Sequence, residues 1–557
     1  MKNILVKQVL KVTKNPIHVL LAVCLVCTTL VLFAVNNQLS FTYNYDIANK
    51  INNQLPVNTT TFIKPPKPLP QLSAHEFWNH LFKIYRQNRF DKSIQPLIQL
   101  TPSEQHVKSK VKSEQYLLSK AEIFHKDTII ANHASVFHQL PEKLPLSIYK
   151  PNSYGIVTIG GNFYSWLALV QLLGLRKLGS QLPVEVVIPT LDDYRKEAHF
   201  CEEVLPKYNA KCVLVPEVLG IEVAKYWNFK SYQYKALALA ISSFENTLLL
   251  DSDNIPVMKP EKIFESSVYK DNGMILWPDY WERTMSPEWH NIVNKPYSTT
   301  KKIRQGRFPL INPITLTPET NNQTKFNDLE GTLPDLSTES GQVIINKKTH
   351  GKVVLLSLYY NIFGPEIYYK LFSLGAMGEG DKDTFAAAAY ACDAGYYQVK
   401  SLIKTFGYHS DGFHGMAMGQ KNPQVDYELY QKHAVEETES IDELKGIFQG
   451  ENKVPMFAIH CNIQKLNPEK YMENDGISDR EANRMKVRFY SKYKIKLDSD
   501  NDDDESNESK EIDFELSRWQ IMDDILCRQQ IRFGFMKDCN LTKICGYVNN
   551  TIKWLSE

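Results

Sequence analysis

Asp251 and Asp253 stand one residue apart, on either side of Ser252, directly after the apolar run "NTLLL" at 246–250. Two carboxylates this close repel, and burying them is costly unless a cation compensates. Carboxylate oxygens suit Mg²⁺ or Mn²⁺, ions that also take phosphate oxygens from a substrate. A solvated turn capping the next helix would use the same residues; the buried strand before them is what favours metal chemistry. "DSDNDDDESNE", from residue 498, repeats the triplet with no apolar strand before it. Its dense like charge predicts a solvated, disordered loop over 498–512 and no metal site.

Other stretches carry matching chemistry. In "TIGGNFY", Thr158, Gly160 and Gly161 follow a short strand, where glycines let backbone approach a nucleotide and free N–H groups favour phosphate or polar base edges. The pattern is not G-x-G-x-x-G, so no dinucleotide is implied. "GEGDKDTF" sets Asp381 and Asp383 ahead of a helix, as a helix cap or as carboxylates beside a sugar in an oxocarbenium-like transition state. "ESGQVIINK" brings Glu339 and Gln342 to the head of the strand "VIIN"; Gln342 suits sugar hydroxyls, and Glu339 suits the reacting centre or an ordinary loop. "LWPDYWERT" groups Trp277, Asp279, Tyr280, Trp281 and Arg283, as a sugar platform or as core. "GYHSDGFHGMAMG", with His409, Asp411 and His414, is glycine-dense and reads as a mobile loop without a metal role.

These groups need a scaffold. From 151 onward strands alternate with helices: strands at 155–161, 182–189, 211–216 and 246–250, helices at 164–179, from 191 to 207, and at 231–244. This order predicts an α/β domain over 151–557, a mostly parallel sheet with helices on both faces. Its ligands would sit beyond the C-terminal strand ends, where Asp251 and Asp253 lie. Upstream, "AHEFWNHLFKIYRQ" puts Phe77, Leu81 and Ile84 at helical spacing.

With 557 residues and a net charge of +1, the chain can bury a large core and carries no field that argues for nucleic acid. Residues 1–16 hold four lysines and no acid, and 17–35 form an apolar run long enough to cross most of a bilayer. Lysines ahead of the span predict a cytosolic tail, a signal anchor and a lumenal catalytic region. A cleaved signal peptide is the alternative, although no small-x-small site follows the run. Residues 36–150 read as a stem, Pro-rich to 70, and a helical lead-in. Sequons at Asn58, Asn322, Asn507, Asn540 and Asn549 suit the secretory pathway. So do seven cysteines beyond the span, of which Cys527, Cys539 and Cys545 invite a disulfide of undetermined pairing.

As a set, "GIVTIGGNFYSWLAL", "LPVEVVIP", "FCEEVLPKYNAKCVLV", "YQYKALALAISSFENTLLLDSDNIPV", "ILWPDYWERTMSP", "ESGQVIINK", "GEGDKDTF" and "MFAIHCNIQKLNP" cover 151–470. This set resembles the fungal Golgi α-1,2-mannosyltransferases that branch the outer chain of N-linked mannan. The resemblance implies a GT-A-like (Rossmann-like) fold, GDP-mannose as donor, a mannose-terminated N-glycan acceptor, Mn²⁺, and transfer with retention at the Golgi membrane. It also implies Asp251, Asp253 and His460 as metal ligands, with Asp251 shared with the donor and Lys235 and Lys465 on the diphosphate or donor sugar. A histidine hydrogen-bonded in a core is the plain alternative for His460, a solvated helix lysine for Lys235. Of the two acids in "GEGDKDTF", Asp381 is the expected sugar-side group. Competing readings are an α-1,3-mannosyltransferase or another nucleotide-sugar enzyme of the same fold. A non-catalytic glycan-binding subunit, in complex with other mannosyltransferases, is a third.

Overall fold

The computed structural model describes residues 72–101, 111–436, 440–449, 453–497 and 511–557. The tail, the span, the stem to residue 70 and Asn58 lie outside them, as do 498–510 and Asn507. Among the described residues no helix is long and apolar enough to cross a membrane.

Helix α1 (Ala74–Gln87) starts at a capping box, in which the Ser73 hydroxyl accepts from Glu76 N and the Glu76 carboxylate accepts from Ser73 N. Its 3.6-residue period buries Phe77, Trp78, Leu81, Phe82, Ile84 and Tyr85. After helix α2 (Lys126–Gln139) the expected alternation begins. The elements are β1 (Lys150–Ile159), α3 (Phe163–Lys177), β2 (Val184–Ile188), α4 (Leu191–Lys196), β3 (Ala210–Leu214), α5 (Gln233–Ile241) and β4 (Phe244–Leu250). The helix expected from 191 to 207 is broken. α4 spans six residues, and a π-turn (Phe200–Val204) and a 3-10 turn (Leu205–Tyr208) follow, with Cys201 bonded to Cys212 of β3. Strand β3 stops at Leu214 because Pro216 opens a short helix, where its missing N–H costs nothing.

Further along come β5 (Asn254–Pro256), β6 (Met274–Pro278), β7 (Thr338–Asn346), α6 (Gly351–Ile362), α7 (Thr384–Ala391) and β8 (Tyr397–Gln398). The stretch expected as a loop at 407–419 is instead a hairpin, β9 (Lys404–His409) and β10 (Phe413–Lys421). Strand β11 (Met456–His460) follows, and helices α8 (Phe514–Asp523) and α9 (Leu541–Ser556) close the chain, with Cys527 bonded to Cys545. Glu511 and Ile512, expected at the end of the acidic loop, lie in a short strand paired with Lys494–Lys496.

The main sheet runs β8-β6-β7-β4-β1-β2-β3. Its pairings are parallel except those of β7, which is antiparallel to both β4 and β6. The sheet is therefore mixed, mostly parallel, and buried on both faces. Along β4, Leu248 and Leu250 join the apolar cluster that holds α3, α8 and α9, while Leu249 joins the one that holds α1, α5 and α6. Ile344 against Val343 and Ile345 repeats the split on β7. A second sheet, antiparallel throughout, runs β9-β10-β11-β5. It shares with the main sheet the short link from β4 to β5, which is where Asp251 and Asp253 sit.

Candidate active and cation site

The two sheets build the site between them. At the end of β4, Asp251 N donates to Gly341 O at 2.8 Å, so β7 lies alongside the acidic turn. Two residues later β5 begins, and its pairing with β11 sets His460 opposite Asn254. Cys461 N donates to Asp253 O at 2.9 Å and continues that pairing into the turn. Gln171, a polar residue in the apolar helix α3, donates from Nε2 to Asp251 O and Asn254 O, both at 2.6 Å. The backbone of the turn is thus held by three partners before the aspartate side chains act.

His460 Nε2 lies 3.2 Å from Asp253 Oδ1 and 3.6 Å from Asp251 Oδ2. One ligand atom from each of the three residues falls within 4.8 Å of the others. Two carboxylates and an imidazole nitrogen converging on one point fit a divalent cation that accepts oxygen and nitrogen ligands. The other ring nitrogen, Nδ1, is 2.7 Å from Glu339 Oε1. Gly341 N donates to the same oxygen at 2.8 Å, while Gln342 Nε2 and Gln420 Nε2 donate to Oε2 at 2.6 and 3.1 Å. A proton on Nδ1 is thereby fixed toward Glu339, so Nε2 is the nitrogen that faces the aspartates and would offer its lone pair to a cation that displaces its own proton. Burial alone would lower the His460 pKa, but the Glu339 and Asp253 carboxylates outweigh it and raise it to about 10. Burial would raise that of Asp253; His460 and Lys465 reverse this and hold it well below the carboxylate range. Gly341 is tight against the pair, since a Cβ there would lie 2.1 Å from Glu339 Oε1 and 2.6 Å from the His460 ring.

Cations ring the acids. Lys235 Nζ, on α5, sits 2.9 Å from Asp251 Oδ2, 3.5 Å from Asp381 Oδ1 and 3.1 Å from Ser340 Oγ. Lys465 Nζ contacts Asp253 Oδ2. Ser340 Oγ donates to Asp381 Oδ1 at 2.9 Å, and Asp381 Oδ2 is buried without a hydrogen-bond partner among the described residues. Burial, only partly offset by Lys235, raises the Asp381 pKa to about 6. A cavity of about 300 Å³ opens over the cluster, lined by Gly160, Gly161, Tyr164, Pro189, Asp193, Tyr232, Tyr234, Lys235, Asp251, Asp253 and Lys465 among others. It lies beyond the C-terminal ends of β4, β1 and β2, the side expected for a parallel sheet.

Asp251, Asp253, His460, Lys235, Lys465, Gly160, Gly161 and Asp381 are therefore gathered at one place. Thr158 is not. It is fully buried, on the face of β1 away from the cavity, and Ile159 lines the cavity instead. The two-residue period of a strand puts neighbours on opposite faces. Asp383 is also turned away. It pairs with fully buried Arg283 at 2.6 Å and accepts from Ser337 Oγ and Thr338 N, both at 2.9 Å, so it holds the loops around β7 and does not face a sugar. Gln342 cannot offer its amide to a hydroxyl, because Nε2 goes to Glu339 and Oε1 to Asn254. Glu339 stands behind His460 and not at a reacting centre.

Trp277 is core, its ring stacked on Phe457 and its Nε1 donating to Lys421 O. Asp279 is paired with Lys382 at 3.2 Å. Cys461 is a buried free thiol, and His409, Asp411 and His414 are at the tip of the β9–β10 hairpin. The carriers Ser340, Gln171 and Gln420 escaped the sequence reading; a lone Gln within "LALVQLLGL" was the one visible signal. Asn322, Asn540 and Asn549 are exposed, and Asn540 also caps α9 by accepting from Lys543 N.

A family model described as "Mannosyltransferase putative" matches residues 153–422. The chain is 58% identical over 516 residues to alpha-1,2-mannosyltransferase MNN22 of Candida albicans, covering 89% of this chain and 88% of the relative. It is 43% identical to MNN23 of the same organism, likewise named an alpha-1,2-mannosyltransferase, over 87% of this chain and 85% of that one. With the MNN2 alpha-1,2-mannosyltransferase of Saccharomyces cerevisiae it shares 35% identity over 74% and 71% of the two chains.

Proposed function

The chain belongs to the fungal mannosyltransferase family of these relatives, and from that premise we propose that it is a GT-A-type, Mn²⁺-dependent α-1,2-mannosyltransferase. In this reading it moves mannose from GDP-mannose to mannose-terminated side chains of N-linked glycans, with retention of the α configuration. The observation that carries the reading is the convergence of Asp251, Asp253 and His460 with Lys235 and Lys465 under one cleft.

Breaking a sugar–phosphate bond leaves negative charge on the departing diphosphate. Mn²⁺ held by Asp251, Asp253 and His460 would neutralise part of that charge. Lys465 and Lys235 stand beside the aspartates, where their ammonium groups meet the phosphate oxygens and cancel the remainder. Asp381 Oδ2, buried and unpaired among the described residues, is an acceptor for a mannose hydroxyl. A hydroxyl proton donated there satisfies an atom that is otherwise costly to bury. Glu339 keeps the His460 ring in register, and Gln171 keeps the turn from shifting when the charge changes.

The setting follows the same reading: a Golgi membrane protein of type II, with a lumenal catalytic region that can associate with other mannosyltransferases. The bonds Cys201–Cys212 and Cys527–Cys545 support an oxidising lumen.

The test uses the purified full-length protein in detergent with Mn²⁺, α-mannobiose and either GDP-mannose or a UDP-sugar, with the product linkage read by NMR. An α-1,2 product from GDP-mannose is expected, with losses on the order of 10³-fold in Asp251→Asn and Asp253→Asn, equal to several kcal/mol of charge stabilisation. Undiminished transfer by both variants in EDTA would end the metal mechanism.

A further inference from the structure

The cleft has two ends. Asp251, Asp253, Lys235 and Lys465 occupy one; Gly160, Gly161, Pro189 and Asp193 occupy the other. Strand order separates them, since Asp251 follows β4, Gly160 follows β1 and Pro189 follows β2, and the three strands are consecutive neighbours. Strands lie about 4.8 Å apart, so Asp193 stands roughly 10 Å across the sheet from the cation cluster. A ribose and the near edge of a base bridge such a gap when the diphosphate sits on the cation.

Asp193 stands in the first turn of α4, where the cap residue Thr190 fixes its side chain. Its Oδ2 accepts from Thr190 Oγ1 at 2.6 Å, and its N donates to the same hydroxyl at 3.1 Å. The carboxylate lies at the wall of the cavity. Gly161, at φ +97°, faces it: a Cβ there would come 3.1 Å from Pro189 Cδ and 3.7 Å from Asp193 Cγ. The missing side chain keeps a slot open beside the carboxylate, and Tyr164 and Tyr234 line the same cavity.

We propose that Asp193 selects the nucleobase of the donor by accepting the N1–H and C2-amine hydrogens of guanine; this rests on the GDP-mannose reading above. The complementarity is specific. Guanine presents two adjacent donors on its Watson–Crick edge. Uracil presents one donor between two carbonyls, which a carboxylate repels, and adenine presents an acceptor at N1. Hydrogen bonds to a charged acceptor are the strong kind, so the two contacts discriminate sharply.

Calorimetry on the full-length protein with Mn²⁺ tests this, using GDP, IDP (no C2 amine), XDP (a C2 carbonyl) and UDP against the native chain, Asp193→Asn and Asp193→Ala. The native protein is expected to bind GDP at least about tenfold tighter than IDP, the loss of one charged hydrogen bond. Asp193→Ala should bring that ratio close to one. Asp193→Asn, whose amide can donate to a C2 carbonyl, should shift preference from GDP toward XDP, a gain that mere loss of structure does not produce. Variants that bind GDP and keep the native GDP-to-IDP ratio overturn the assignment and leave the donor reading intact. A native protein that prefers UDP to GDP overturns the donor reading and the assignment with it.

Discussion

Glu339→Gln keeps the shape of the side chain and removes its charge, and so isolates what orients His460. Four donors converge on the native carboxylate: His460 Nδ1 and Gly341 N on Oε1, Gln342 Nε2 and Gln420 Nε2 on Oε2, at 2.6 to 3.1 Å. An amide offers one oxygen and one NH₂, so in either orientation one pair of donors faces another donor. An unmet buried donor costs about 1–3 kcal/mol. Loss of the carboxylate behind a ligating histidine lowers metal affinity about 10–100-fold, which is about 1.4–2.7 kcal/mol and falls in the same range. The Mn²⁺ dissociation constant should therefore rise by one to two orders of magnitude, read from the EPR signal of free Mn²⁺. Saturating Mn²⁺ should restore most of kcat, because Glu339 touches no reacting atom. The reasoning fails if the Gln variant binds Mn²⁺ as the native protein does while His460→Ala does not.

Gly341→Ala drives a methyl group into the Glu339–His460 pair; a loss of Mn²⁺ affinity comparable to that of Glu339→Gln is expected in the same EPR titration. Lys235→Met leaves Asp251 and Asp381 buried without their shared ammonium, and urea denaturation should show a loss of about 3–5 kcal/mol. Cys527→Ser opens a bond that spans 18 residues, and should cost about 3 kcal/mol by the same measurement. Burial pushes the Lys347 ammonium from its ordinary 10.5 down to about 7. The folded chain then sheds a proton that the unfolded chain keeps, so the contribution of Lys347 is complete above 10.5 and lost as pH falls through 7. The stability of the native protein relative to Lys347→Met should climb across that window, by up to about 1.4 kcal/mol per pH unit; a flat difference refutes it.

Much of this arrangement was legible because local pattern and tertiary role agree. The run ahead of Asp251 is apolar at every position because both faces of β4 are covered, and such runs announce central strands. "MFAIH" was legible for the same reason. That it belongs to a second sheet was not, because pairing with the three residues of β5 leaves no local mark. The antiparallel course of β7 was hidden too, since "VIIN" reads alike in either direction. Asp381 and Asp383 look equivalent in "GDKD". What parts them is Arg283, a hundred residues upstream, which claims one carboxylate and leaves the other to Lys235. Glu339 and Gln342 were found as residues and misread as roles, because their partner His460 lies 121 positions from Glu339.

Asp253 and His460 meet across 207 positions of chain. The centre thus cannot assemble until β11 has been made and has left the ribosome, because the imidazole that completes it comes so late in the chain. A copy that ends before His460 keeps its acidic turn yet lacks the imidazole, and with it the third of the three converging ligand groups.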